Sequence, residues 1–196
     1  MRHVAVGFDV TYGKGRSGDP EAMQRCGKEF GFSVSVTGEV DSKEGWKISS
    51  TAIRALLREG RPEQAAALLG RPFAIEGLVE KGRQLGRKLG FPTANVTLGE
   101  YVAPRFGVYA TRTRLRDGRE LGGVTNVGVN PTFGGSKRVI ETYMIDYSQQ
   151  SEIKKAEISF VERLRNEVRF KDSRELIDQM KKDVEVARSI LKNNDK

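Results

Sequence analysis

The stretch Gly90-Phe91-Pro92-Thr93-Ala94-Asn95 carries the most informative pattern in this 196-residue chain. Its proline stiffens the backbone just before a hydroxyl and an amide oxygen, which are hard ligands of the kind that Mg²⁺ accepts. A basic, glycine-rich approach, residues 81–89, precedes it, and its cations are able to face phosphate groups. From the residues alone, a surface loop with solvated charges is an equally good interpretation.

Further motifs follow this stretch in order along the chain. They are Gly107-Val108-Tyr109-Ala110, Gly123-Val124-Thr125-Asn126-Val127-Gly128, Asn130-Pro131-Thr132-Phe133 and Ile140-Glu141-Thr142. Together these motifs resemble the riboflavin kinases, and more closely the C-terminal kinase module of the bacterial bifunctional riboflavin kinase/FAD synthetases. The resemblance covers nearly the whole chain. It implies ATP-dependent phosphorylation of the ribityl 5′-hydroxyl of riboflavin, giving FMN and ADP.

Size and composition predict one domain plus a smaller piece, with enough apolar residues for a packed core. The chain is 37% hydrophobic and 31% charged. It has no apolar run long enough to span a bilayer and no secretory signal, so we expect a cytoplasmic protein without a membrane partner. The single cysteine, Cys26, excludes an internal disulfide and a cysteine-based zinc site.

The net charge of +8 would suit a nucleic-acid-binding protein. However, residues 71–125, which surround the glycine-rich approach, hold 10 Lys+Arg against 5 Asp+Glu. Few aromatic side chains accompany the basic ones, so a stacking platform for bases is poorly supported. Charge gathered around one loop favours a small polyphosphate over a nucleic acid.

Residues 1–68 are predicted to form a small α/β piece, with a helix over 20–31 and a strand over 32–36. The segment Lys47–Arg54 is a good helix start. It also resembles the adenylyltransferase motif of the FAD synthetase half, in which Arg54 would hold ATP phosphates. That family's Gly-x-Phe-Asp segment is absent from this sequence. Its paired histidines are also absent, since His3 is the only histidine. We therefore expect a truncated adenylyltransferase remnant without FAD synthetase activity, with residual FAD synthesis as the alternative.

Residues 69–196 are predicted to form the kinase domain, a mainly β structure with a C-terminal helix. Short strand patterns separated by glycine turns, with no long helix between them, indicate an antiparallel barrel. The predicted strands are 73–79, 108–115, 121–129, 139–147 and 157–164. The resemblance implies a six-stranded Greek-key barrel. After Asp172, apolar residues at helical spacing predict a helix packed on the barrel.

Thr93 and Asn95 lie two residues apart, so on an extended segment both side chains point to one face. The resemblance implies that they share one Mg²⁺ with the phosphates of ATP. The pattern alone is also consistent with side chains that only stabilise a turn.

Glu141 lies in an alternating strand pattern, in which a carboxylate most often faces solvent. It corresponds to the catalytic glutamate of the riboflavin kinases, which takes the proton from the ribityl 5′-hydroxyl. A base for this step must come within hydrogen-bond reach of that hydroxyl.

The resemblance implies further contacts with ATP and with the flavin. Gly82 and Arg87 would contact ATP, although a turn glycine and a surface cation are the alternative for them. Asn130 and Thr132 are expected in a turn at the barrel mouth that contacts nucleotide or flavin, or that only builds the turn. Arg165, Glu167 and Phe170 would cover the isoalloxazine ring, although core packing is also open for Phe170.

One loop departs from the riboflavin kinase pattern. Residues 148–155 replace an acidic, glycine-containing loop that usually ends in Leu-Tyr-Gly-Lys. The loss of this Tyr-Gly pair puts the geometry of the loop beside ATP in doubt. Together with the basic charge, it leaves a non-catalytic barrel that binds flavin or nucleic acid as the alternative function.

Overall fold

The chain folds as two units, Met1–Ile48 and Ser49–Lys196. The computed structural model describes residues 2–39, 48–80, 85–132, 135–147 and 153–194. No helix formed by these residues has the length and the apolar character that crossing a membrane requires.

The first unit contains a strand, a helix and a parallel strand. Strands β1 (His3–Gly7) and β2 (Ser33–Thr37) pair in parallel, and helix α1 (Pro20–Phe30) connects them. Asp19 caps α1 by accepting a hydrogen bond of 2.7 Å from a first-turn backbone N–H, and Gly31 ends it in the left-handed conformation, with φ of 73°. This arrangement confirms the predicted α/β piece.

The second unit opens with helices α2 (Ser50–Glu59) and α3 (Pro62–Leu69). The hydroxyl of Ser49 caps α2, and Gly60, with φ of 81°, ends it. Because both helices belong to the unit that contains the barrel, the division of the structure falls at residues 48 and 49. The functional boundary between residues 68 and 69 stays a prediction.

The rest of the second unit is a closed antiparallel barrel with the strand order β3-β4-β7-β6-β5-β8. Its strands are β3 (Phe73–Glu80), β4 (Ala94–Val96), β5 (Gly107–Leu115), β6 (Glu120–Thr132), β7 (Gly135–Met144) and β8 (Lys155–Arg165). The neighbours β4–β7 and β5–β8 are not consecutive in sequence, as a Greek-key connection requires. The predicted six-stranded barrel is confirmed.

Two details differ from the sequence prediction. Strand β4 is not among the strands predicted from the sequence pattern, because its three residues are too few to show an alternating pattern. Strand β6 continues through Asn130 to Thr132, which pairs with Gly135 of β7. The predicted turn at residues 130–132 is therefore wrong, because the cross-strand ladder extends further than the apolar alternation.

Side chains that alternate along the strands fill the barrel interior. The buried set includes Ile75, Val96, Tyr109, Val127, Ile140, Ile158 and Phe160. Because neighbouring residues point to opposite faces, the residues between them lie on the outer face of the barrel. That outer face is where the candidate site is found.

Helix α5 (Ser173–Asn193) covers part of the outer face. Its buried residues Val184, Ala187 and Leu191 pack against Val108 of β5 and Val124 of β6, among others. The helix begins as predicted, because the side chain of Asp172 accepts hydrogen bonds from the first free backbone N–H groups. Its N-terminal half is thereby placed beside the loop that follows β8.

Candidate active site

A single helical turn positions the stretch that contains Thr93. Helix α4 (Leu85–Lys88) is followed by Gly90 in the left-handed conformation, with φ of 85°. The N–H of Phe91 then donates to the carbonyl of Gly86 at 2.8 Å, and that of Gly90 donates to the carbonyl of Arg87 at 3.3 Å. This pair of hydrogen bonds is the Schellman ending of a helix, and it fixes the direction in which the chain leaves α4.

Gly86 is required for this close approach. A Cβ atom on Gly86 would collide with the carbonyl oxygen of Phe91. The ring of Phe91 in turn packs edge-on against Tyr143 of β7, with 5.2 Å between the ring centroids. The turn therefore anchors the chain on β7 immediately before Pro92 and Thr93.

Thr93 and Asn95 share the outer face of the barrel. They alternate with Ala94 and Val96, each of which is only 2% exposed and belongs to the core. In the β4–β7 ladder, Asn95 pairs directly with Glu141. The predicted geometry of two oxygen-bearing side chains on one face is thus present, with the carboxylate of Glu141 on the neighbouring strand.

A pocket of about 220 Å³ opens on this outer face, between the strands, α4, the segment after β8 and α5. Its wall is largely apolar and includes Val108, Val124, Tyr143, Phe170, Leu176 and Met180. Its polar groups are Thr93, Asn126, Glu141, Arg165, Glu167 and Asp183. An apolar slot with a few convergent polar groups is the usual form of a small-molecule site.

Of the predicted site residues, this pocket brings together Thr93, Glu141, Arg165, Glu167 and Phe170. Asn95 and Arg87 are not part of its lining. Asn95 lies beside it through its pairing with Glu141, and Arg87 is an exposed residue of α4, the turn whose Gly86 lines the pocket. Gly82 and the first part of the departing loop, residues 148–152, lie outside the described residues. The backbone of Asn130 and Thr132 belongs to β6, while their contacts stay a prediction.

Arg165 is held firmly by an acidic partner. Its guanidinium donates to both carboxylate oxygens of Asp183, at 2.7 to 3.1 Å, and to the carbonyl of Asn166 at 2.9 Å. It also lies 5.9 Å from the ring centroid of Phe170. The pair joins β8 to α5, so Arg165 has a structural role in addition to any contact with a ligand.

Sequence reasoning assigned no role to Asn126. In the β6–β7 ladder it pairs with Glu141, on the side opposite to Asn95. Its amide donates to the carboxylate of Glu167 at 3.2 Å. The alternation of Val124, Asn126 and Gly128 along the strand already indicates that Asn126 lies on the outer face. The sequence pattern does not indicate its partner Glu167, which is 41 residues away.

The oxygen donors of Thr93 and Asn95 fit a hard divalent cation such as Mg²⁺, which accepts neutral oxygen ligands and keeps most of its coordination sphere for water and phosphate. Among the residues that the structure describes, there is no group of three or more His, Cys, Asp or Glu side chains that could hold a metal. The assignment of Thr93 and Asn95 to a metal stays a prediction.

Comparison with known proteins gives two family matches. The riboflavin kinase model matches residues 69–191, and the FAD synthetase model matches residues 1–52. The chain is similar to the bifunctional riboflavin kinase/FMN adenylyltransferases of Haemophilus influenzae, with 37% identity, and of Escherichia coli, with 38% identity. Each of these alignments covers 97% of this chain. The chain spans 62% and 61% of those two proteins.

A solved structure is also similar. It is described as a macrolide-efflux protein from Streptococcus pneumoniae, and it superimposes with a TM-score of 0.77 at 32% identity, covering 93% of this chain and 58% of its own.

The family matches do not favour a non-catalytic barrel. The riboflavin kinase family model matches more than half of the length of this chain. The chain therefore belongs to the riboflavin kinase family.

Proposed function

We propose that the second unit transfers the γ-phosphoryl group of ATP to the ribityl 5′-hydroxyl of riboflavin, giving FMN and ADP. One observation carries the proposal: Glu141 and Thr93 line the same pocket, and Asn95 pairs with Glu141 on the adjacent strand. A carboxylate, a hydroxyl and a neighbouring amide are thus close to one another. Phosphoryl transfer to an alcohol needs such a base beside the metal and the phosphates.

Glu141 is the proposed general base. Its side chain is partly buried in the outer wall, between Asn95 and Asn126 on the flanking strands. In this position its carboxylate accepts the hydroxyl proton as the oxygen attacks phosphorus, provided that the hydroxyl lies within about 3 Å of it. The amides of these neighbours accept hydrogen bonds but are too weakly basic to take a proton, so Glu141 is the base in this row.

Thr93 and Asn95 are the proposed Mg²⁺ ligands. When bound, the metal would neutralise charge on the phosphate oxygens of ATP. The residues of this chain contribute a fixed hydroxyl and a fixed amide, since the turn at Gly86–Phe91 and the β4 ladder hold both in place. We assign Gly82 and Arg87 to the ATP phosphates, because they correspond to positions at which riboflavin kinases contact ATP.

The apolar slot suits the flavin ring. Val108, Val124 and Tyr143 of the strands and Phe170 of the segment after β8 line it, and the guanidinium of Arg165 lies 5.9 Å from the ring centroid of Phe170. A planar, largely apolar ring system gains contact with both sides of such a slot. Arg165, Glu167, Asn130 and Thr132 are the further proposed contacts of the ligands. We keep a cytoplasmic location as a prediction.

We further propose that residues 69–196 carry this activity and that residues 1–68, an adenylyltransferase-like part, make no FAD. The proposal rests on the absence of paired histidines, since His3 is the only histidine. Incubation of the protein with FMN, ATP and Mg²⁺ should yield no FAD. The appearance of FAD would show that residues 1–68 are active.

The test of the main proposal is direct. The protein is incubated with riboflavin, ATP and Mg²⁺, and the flavins are separated by chromatography. FMN and an equal amount of ADP should form, and chelation of Mg²⁺ should stop the reaction. Absence of FMN, together with salt-sensitive binding of an oligonucleotide, would instead support the alternative of a binding barrel.

A further inference from the structure

The segment Asn166–Lys171, here called the covering segment, lies between β8 and α5. Its start is fixed, because Arg165 donates to the carbonyl of Asn166 and Arg163 donates to its side chain at 2.7 Å. Its end is fixed by a hydrogen bond of 3.0 Å from the N–H of Lys171 to Glu175. Between these ends, Val168 and Phe170 line the pocket.

The middle of the covering segment contacts the barrel through Glu167. One of its carboxylate oxygens accepts a hydrogen bond of 3.2 Å from the amide of Asn126. The same oxygen lies so close to Gly128 that a Cβ atom there would collide with it. Asn126 and Gly128 are two residues apart on β6, so the amide and the bare backbone face the same side of the sheet.

The chemistry fixes the orientation of the amide. A carboxylate accepts hydrogen bonds, so the nitrogen of Asn126 must point to Glu167. The glycine then provides the space in which the carboxylate lies against the strand. A Cβ atom at position 128 would displace the carboxylate of Glu167 from the strand. The next residue of the covering segment, Val168, is 56% exposed.

We propose that Asn126 and Gly128 are positioning residues. They hold the carboxylate of Glu167 on β6 and thereby set the covering segment over the pocket in the conformation that binds the flavin ring. Preorganisation of this kind lowers the ordering cost that the ligand would otherwise meet on binding. The link to flavin rests on the proposed function, whereas the positioning of the segment does not.

The first readout is independent of any activity. Arg169 and Lys171 are exposed trypsin sites within the covering segment. Cleavage at them reports how often the segment opens. We expect Asn126→Ala, Gly128→Ala and Glu167→Ala each to accelerate this cleavage, identified by the masses of the fragments. Glu167→Gln should stay close to the wild type, because its amide carbonyl still accepts from Asn126.

The second readout is the dissociation constant of riboflavin, measured by quenching of its fluorescence, together with kcat and KM. Asn126→Ala and Gly128→Ala should raise the dissociation constant and KM about fivefold, a modest effect because the carboxylate is exposed. Changes in kcat should be small, since Glu141, Thr93 and Asn95 are untouched. A purely structural role would instead lower the melting temperature without this division between KM and kcat.

The deciding comparison is a double variant with a matched control. In a Glu167→Ala background, Gly128→Ala should cause no further change, because the colliding carboxylate is gone. Val129→Ala, at the next position on the same strand but on the other face, should behave like the wild type. Additive increases in the rate of trypsin cleavage, or equal increases in Glu167→Gln and Glu167→Ala, would overturn the proposal. Absence of FMN in the wild type would refute the proposed function alone, because the proteolysis result stands without it.

Discussion

Asn95 of β4 and Glu141 of β7 are directly paired across the barrel ladder, and Asn126 of β6 pairs with Glu141 on its other side. Side chains paired in this way have Cβ atoms roughly 5 Å apart. One proposed metal ligand and the proposed base are therefore neighbours on a rigid sheet. Their separation depends on strand register, not on the conformation of a loop.

The first prediction concerns the proposed metal ligands. Thr93→Ala and Asn95→Ala should each raise the KM for Mg²⁺-ATP about tenfold or more, because each removes an oxygen that would share the metal with the phosphates. Their melting temperatures should stay close to that of the wild type. Nucleotide affinity is measured by calorimetry at fixed Mg²⁺.

Thr97→Ala is the matched control for this prediction, because it removes a hydroxyl just beyond β4 that contacts the backbone of Leu78. It should leave the affinity unchanged. If Thr93→Ala and Asn95→Ala bind Mg²⁺-ATP as the wild type does, the metal assignment is incorrect.

The second prediction concerns the Arg165–Asp183 pair. The side chain of Asp183 is 5% exposed and that of Arg165 is 21% exposed, so removal of one partner leaves a charge with little access to water. Asp183→Ala should lower the free energy of unfolding by about 3–5 kcal/mol in urea denaturation. The combined Arg165→Leu and Asp183→Leu variant should lose less, because no unpaired charge remains.

Asp178→Ala serves as the control, since it removes an exposed carboxylate from the same helix. It should change the free energy of unfolding by no more than about 0.5 kcal/mol. A loss in Asp183→Ala as small as that of the control would show that the pair does not hold α5 on the barrel.

The third prediction concerns stability at high pH. Tyr109 is fully buried and donates to the carbonyl of Arg105. Burial raises the pKa of Tyr109 above its ordinary value, although the nearby Arg163 opposes this. The unfolded chain therefore loses the phenolic proton first, near pH 10, while the folded chain keeps it. Stability falls as the pH rises from there to the folded pKa, by about 1.4 kcal/mol per pH unit for this group.

Tyr109→Phe should remove this part of the alkaline loss, in urea denaturation compared at pH 8 and pH 11. Tyr101→Phe, which changes a tyrosine that is 42% exposed, should keep the loss of the wild type. An alkaline loss that is the same in Tyr109→Phe and in the wild type would contradict the prediction.

The barrel was predictable from sequence because most of its strands are long and alternate clearly, as in Val108 to Leu115. Strand β4 was not, because three residues are too few to show a period. The end of β6 was missed for a related reason: the ladder with β7 runs on through Pro131, where the sequence pattern indicates a turn. Pairing between strands is a tertiary interaction that single-strand patterns do not contain.

The candidate site was predictable in part. The resemblance named Thr93, Glu141, Arg165, Glu167 and Phe170, and these five line one pocket. The resemblance did not show that Arg165 forms an ion pair with Asp183 or that Asn126 donates a hydrogen bond to Glu167. Each contact joins residues that are far apart in the chain. Long-range side-chain pairs follow from the fold and not from local spacing.

The most direct test of the account compares FMN formation by Glu141→Gln and by Glu162→Gln. Glu162 is an exposed carboxylate on β8 and is not part of the pocket lining, so its variant controls for the loss of a strand carboxylate. Both variants should fold and bind riboflavin as the wild type does. Glu141→Gln should lose at least about 100-fold in kcat because it cannot accept the proton, and Glu162→Gln should keep full activity. FMN formation by Glu141→Gln at the wild-type rate would contradict the account.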